Sequence, residues 1–138
     1  MNKPFFTLVS VQEANTYSPL ALAFVGDAVY ETFIRTKILL WANRSANKLH
    51  KDAVPFVRAG GQSLAMQALL PILTTDEEDI FKRGRNAHSA SVPKNADVTE
   101  YRTATGFEAL LGYLSLTGQN ERLEELMELA YETVKNRV

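Results

Sequence analysis

An all-α fold is what this sequence predicts, on three observations. Apolar residues recur at helical spacing along most of the chain, capping signals stand where those stretches begin, and no segment makes a compelling strand. With 138 residues, 46% of them hydrophobic, and no internal repeat, linker or low-complexity tract, one domain over residues 1–138 is expected, with a core large enough to fold unaided.

The elements follow in order. Ser18-Pro19 offers an N-cap and a first-turn proline, and helical spacing carries the first helix to about Leu40. Asn43 to Ser45 interrupts it, and Ser45 caps a second stretch to roughly Leu70, which Pro55 and Gly60-Gly61 should kink or divide. Thr75 with Glu78 fits a capping box, with Asp76 and Glu77 in the first turn and Lys82 and Arg83 in the last. Gly84 is expected to stop that helix and open a long polar loop to Asp97. Asp97 or Thr99 caps the next helix, which runs to Thr117 and ends at Gly118. Asn120 to Lys135 has the leucine spacing of a final amphipathic helix.

Composition excludes several chemistries. Without cysteine there is neither a disulfide framework nor a thiolate metal site, which points to a reducing compartment, and His50 and His88, the only histidines, are too few for a zinc centre. The longest uncharged apolar run, Pro19 to Gly26, falls far short of the ~20 residues that cross a bilayer, and no secretory signal pattern opens the sequence, so a cytoplasmic protein is expected. The net charge of −1 gives no bulk sign of nucleic-acid binding. The local distribution says more: Lys82, Arg83, Arg85 and Lys94 lie between Lys82 and Ala96 with no acid among them.

The sharpest feature is a pair of lone acids in two apolar stretches. Asp27 is the sole charge between Leu20 and Tyr30, and Glu108 the sole charge between Ala104 and Leu114. Helical spacing sets Leu20, Phe24 and Asp27 on one side, and Glu108 among Ala104, Thr105, Leu111 and Gly112, so both acids are expected to be at least partly buried. Two carboxylates ~4 Å apart repel by about 4 kcal/mol at an effective dielectric near 20. A hard divalent cation such as Mg²⁺, which accepts one or two protein carboxylates, would compensate. Gly26 and Gly106 permit close approach of backbones or substrate. The alternative is that each acid pairs with an arginine, such as Arg35 or Arg102, and fixes the helices in register. Glu31, one turn beyond Asp27, is either a third ligand or a solvated acid.

The segments Phe24-Val-Gly-Asp27-Ala-Val and Gly106-Phe-Glu108-Ala-Leu-Leu-Gly resemble the two metal-binding helices of the ribonuclease III family, and the pairing is more specific than either alone. The likeness is closer to the short bacterial Mini-ribonuclease III branch. It takes in Leu49-His-Lys51, Lys82-Arg-Gly-Arg-Asn86-Ala, Pro93-Lys-Asn95-Ala-Asp97-Val and Tyr101-Arg102, and runs from about Ser18 to Ala130.

The resemblance implies a ribonuclease III-like helical endonuclease domain that forms a homodimer and cuts double-stranded RNA to leave a 5′-phosphate and a 3′-hydroxyl. It further implies Mg²⁺, with Mn²⁺ as a substitute, held by Asp27 and Glu108 as catalytic residues. Its natural substrate would be the large-subunit ribosomal RNA precursor, with a ribosomal protein as a candidate for presenting it. The sequence departs from ordinary ribonuclease III where three further acids are replaced by Leu20, Ala23 and Thr105, a loss that resembles the short branch. Lys82, Arg83, Arg85, Asn86, Lys94 and Asn95 then read as groups that meet the phosphates and 2′-hydroxyls of a duplex, with Lys48, His50 and Lys51 as an extension. Two other functions stay open: an RNA-binding module without cleavage, and a purely structural helical dimer.

Overall fold

Five of the seven α-helices among the described residues begin where a polar side chain satisfies one of their first free amide groups. In the computed structural model, which describes residues 7–87, 92, 94 and 96–138, Ser10 caps α1 (Val11–Ala14), Ser18 caps α2 (Pro19–Trp41) and Ser45 caps α3 (Ala46–Val57). After α4 (Ala59–Leu69) and a 3₁₀ turn (Leu70–Ile72), Thr74 caps α5 (Thr75–Arg85) and Asp97 caps α6 (Val98–Leu116). Helix α7 (Asn120–Lys135) follows a turn in which Gly118 adopts φ 71°, the left-handed conformation that ends a helix at little strain when the residue is glycine. No strand occurs among the described residues, and no helix is long and apolar enough to cross a membrane.

Three local details differ from expectation. The single turn α1 has no counterpart in the sequence reading. The capping box is Thr74 with Glu77, one residue earlier than Thr75 with Glu78: Arg122, far along the chain, binds the Glu77 carboxylate at 2.9 Å and thereby selects it. Gly84 does not stop α5. It lies buried inside the helix, where an added Cβ would stand 2.8 Å from the Gly106 Cα, so its small size serves a helix crossing.

Helix α6 is the axis of the fold, buried over most of its length, with α2, α4, α5 and α7 packed around it. Two crossings bring backbones into contact. At the first, a Cβ on Gly26 of α2 would overlap the Glu108 carbonyl oxygen of α6, and one on Gly112 would overlap the Leu22 carbonyl oxygen. At the second, Gly84 of α5 meets Gly106 of α6 beneath the Phe81 ring. Tyr30, Ile34, Phe56, Met66, Phe107, Leu110, Leu114 and Leu126 fill the spaces between helices, each contributing about 1.5–3 kcal/mol by leaving water.

Candidate active site

The α2–α6 crossing sets the site. Asp27 follows the glycine that touches α6, and Glu108 owns the carbonyl that glycine touches, so both side chains emerge at the rim of one contact. Their carboxyl groups lie within hydrogen-bonding reach. Gln62, reaching across from α4, donates its side-chain Nε2–H groups to Glu108 Oε2 at 3.2 Å and to the Val57 carbonyl oxygen at 3.0 Å.

Glu108 is half-buried, and its pKa is pushed up to about 8. Burial is the largest cause, followed by the hydrogen bond and charge of Asp27. The Gln62 amide opposes them, and Glu31 adds a smaller push upward. Without a cation, Glu108 therefore holds its proton to higher pH than an ordinary carboxyl. Among the described residues neither enters an ion pair with lysine or arginine. Arg35, offered above as a partner for the acids, pairs with Glu31 at 3.0 Å, and Arg102 is exposed.

Asp27 is exposed, contrary to the expected burial. The stripe Leu20–Phe24–Asp27 is a second apolar face of α2. The face packed on the core is Leu22, Ala23, Gly26, Tyr30, Ile34 and Ile38, whereas Phe24 is 82% exposed. A helix apolar on two faces gives no periodic signal of which one is covered. Of the residues standing where the wider family has acids, Ala23 is buried, and Thr105 donates its hydroxyl to the Tyr101 carbonyl of its own helix.

Lys82 and Arg83 sit in the last turn of α5, as expected, and Arg85 joins them there. Lys82 pairs with Glu78 at 2.7 Å, Arg83 donates to the Tyr17 carbonyl at 3.4 Å, and Arg85 donates to Asn86 Oδ1 at 3.2 Å while lying over the Phe81 ring. Helix α5 packs on α6 where Gly84 meets Gly106 and Ala109. Lys94 is exposed, and Asn95 lies outside the described residues. Lys48, His50 and Lys51 are exposed on α3, and His50 borders an apolar cleft shared with Glu31 and Arg35.

Sequence reasoning missed Gln62. A signal was available, because Gln62 shares a helical face with Ala65, Met66 and Leu69, all buried, so a polar side chain was due to be buried among them. Chemically, two contacting carboxyls without a basic partner form an all-oxygen donor set short of positive charge, which fits a hard divalent cation and not zinc. No group of three or more His, Cys, Asp or Glu side chains suited to a metal occurs among the described residues, so protein ligands alone would leave much of the cation's coordination to water or substrate.

Comparisons with known proteins identify the family. Residues 20–119 match the Ribonuclease III domain family. A protein named Mini-ribonuclease 3 from Enterococcus faecalis is 54% identical over 110 residues, covering 78% of this chain and 83% of its own length. Another of that name, from Thermoanaerobacter sp., is 45% identical over 128 residues, covering 93% of this chain and 90% of its own. In three dimensions the chain is similar to a protein from Fusobacterium nucleatum solved by X-ray crystallography, with a TM-score of 0.77, 30% identity, and coverage of 87% of this chain and 96% of that one. By its matched residues, its all-helical fold and these relatives, the chain belongs to the ribonuclease III family, alongside proteins that carry the name Mini-ribonuclease 3.

Proposed function

We propose that this chain is an endoribonuclease that cleaves double-stranded RNA, with Asp27 and Glu108 holding Mg²⁺, or Mn²⁺ in its place. The observation that carries the reading is the contact between two carboxyls that no basic side chain among the described residues neutralises. The ion, when bound, supplies positive charge against which a phosphodiester is polarised and water becomes acidic enough to act as a nucleophile. The protein's own part is to hold two acids together at the cost of mutual repulsion, to keep Glu108 half out of water, and to orient its carboxylate through Gln62. The products expected are a 5′-phosphate and a 3′-hydroxyl.

Lys82, Arg83, Arg85, Asn86, Lys94 and Asn95 are proposed to meet the duplex backbone. The open apolar face of α2 supports a homodimer. Beside the exposed Phe24 runs a groove of about 850 Å³ bordered by Val25, Ala28, Phe33, Leu116 and Met127, with Asp27 on its rim. An aromatic ring next to an apolar groove on the same surface is the self-complementary pattern a two-fold interface needs. Two sites on such a dimer would each cut one strand. The natural substrate we propose is the large-subunit ribosomal RNA precursor in the cytoplasm, with a ribosomal protein as candidate presenter.

The test incubates purified protein with long duplex RNA and Mg²⁺, beside Asp27→Asn and Glu108→Gln, and follows cleavage and RNA retention. Cleavage by the wild type alone, with all three proteins retaining RNA, is expected. Retention without cleavage by the wild type would favour a binding module, and neither would favour a structural protein.

A further inference from the structure

Gln62 is 2% exposed, yet its uncharged side-chain amide reaches Glu108. Its placement is fixed by backbone. A Cβ on Gly61 would overlap the Pro55 carbonyl oxygen, so the first turn of α4 is pressed against the last turn of α3, and the Gln62 amide N–H is held by the Arg58 carbonyl at 3.0 Å. From there the side chain spans two elements, with Nε2 shared between the carbonyl that ends α3 and the carboxylate of Glu108 on α6.

The orientation of the amide is not arbitrary. Val57 offers it only a carbonyl oxygen, so turning the group over would set oxygen against oxygen. The nitrogen therefore faces Val57 and Glu108, and Oε1 is left buried without a partner among the described residues. A glutamine that did no more than cap α3 would need one hydrogen bond and would lose less by burial as a shorter or apolar side chain. The second bond, to Glu108, and the unspent acceptor beside it have no such explanation.

We propose that Gln62 is a positioning residue: it ties the Glu108 carboxylate to the end of α3, fixing the carboxylate's orientation against Asp27, and keeps Oε1 as an acceptor for the water of the site. The proposal rests on the nuclease reading above. It makes the α3–α4 junction part of the support for the acids, although neither helix carries one of them. Partners of this kind hold a ligating carboxylate in one orientation, and losing them typically weakens metal binding or activity by ~10- to 100-fold.

The test uses Gln62→Met, close in volume and without hydrogen-bonding groups. Mn²⁺ binding without RNA, single-turnover cleavage with Mg²⁺, duplex RNA affinity and melting temperature are measured on the same preparation. The expected result is ~10-fold weaker Mn²⁺ binding and ~10- to 100-fold slower cleavage at unchanged RNA affinity. Wild-type Mn²⁺ affinity and cleavage rate in the variant, whatever its melting temperature, would reduce Gln62 to a helix cap and overturn the proposal. A readout on the unmodified protein guards against a variant that fails to fold. The Gln62 side-chain amide, followed by ¹⁵N–¹H NMR, should exchange slowly with solvent and shift when Mg²⁺ alone is added; resonances that do not move overturn the proposal too. Failure of the nuclease reading looks different, because the wild type itself would then neither cleave nor take up Mn²⁺, and this proposal would fall with it.

Discussion

Glu77 and Glu108 are both drawn away from water, and the molecule treats them in opposite ways. Glu77, 4% exposed, closes the capping box of α5 and receives Arg122 at 2.9 Å on each of its oxygens. Burial works to raise its pKa, but the hydrogen bonds from Arg122 and Thr74, with the Arg122 charge, outweigh it and hold the carboxyl below its usual range. Glu108 receives one neutral amide and another acid, and is held far above that range. A carboxylate placed for stability is supplied with a cation by the fold. One left short of a cation marks a place where charge is to come from outside.

The largest effect expected of this contrast is on cleavage. Glu108→Gln or Asp27→Asn should lower the cleavage rate by ~10³-fold or more, since the charge that holds the ion is gone. Melting of the metal-free protein should stay level or rise, because a repulsive pair has been relieved. If both variants melted several degrees lower, the contrast with Glu77 would break, and the acids would be structural. Glu77→Gln should do the reverse. Leaving Arg122 without its carboxylate should destabilise the fold by about 3 kcal/mol, read by urea unfolding, with cleavage per folded molecule unchanged.

Gly26→Ala should fall between these. Its Cβ has no room beside the Glu108 carbonyl, so α2 and α6 must part, at about 1–3 kcal/mol, and the carboxyls with them. Cleavage should drop ~10-fold or more, since small displacements of catalytic groups are costly. An alanine variant with normal melting and normal rate would show that the crossing does not set the acids' spacing.

The smallest effect is in the pH dependence of metal-free stability. Folded Glu108 keeps its proton to about pH 8, whereas its ordinary value is 4.5, so its contribution is complete below about pH 4.5 and is lost as the pH rises toward 8. Glu108→Gln should abolish this dependence. Glu77 acts with the other sign: its contribution is present above pH 4.5 and is lost as the pH falls below it. Two limbs, each removed by its own substitution, would separate the two glutamates in one titration.

Much of this was legible in the sequence where the controlling interactions are local. Ser18, Ser45 and Asp97 cap the helices they were expected to cap, and α7 keeps its predicted bounds, because an N-cap acts on amides two or three residues away. Asp27 and Glu108 stood out because a single charge in an apolar helix demands a reason. What could not be read depends on partners distant in the chain. Arg122 moves the capping box by one residue, Gly106 turns Gly84 from a stop into a contact, and the exposed face of α2 cannot be told from the packed one without the helices that cover it. Gln62 escaped notice because its importance lies in what it touches on α6, forty-six residues away.

The meeting of Gly26 and Gly112 has a bearing on how this protein tolerates change. Since main-chain atoms there rest against each other with nothing between, the separation of the two helices that carry the acids is set by backbone contact and not by the size of the apolar side chains around it. Residues such as Ile34, Leu110 and Leu126 can then drift among hydrophobic alternatives of similar volume, altering how firmly the helices hold, while the approach of the two main chains at the crossing is inherited unchanged.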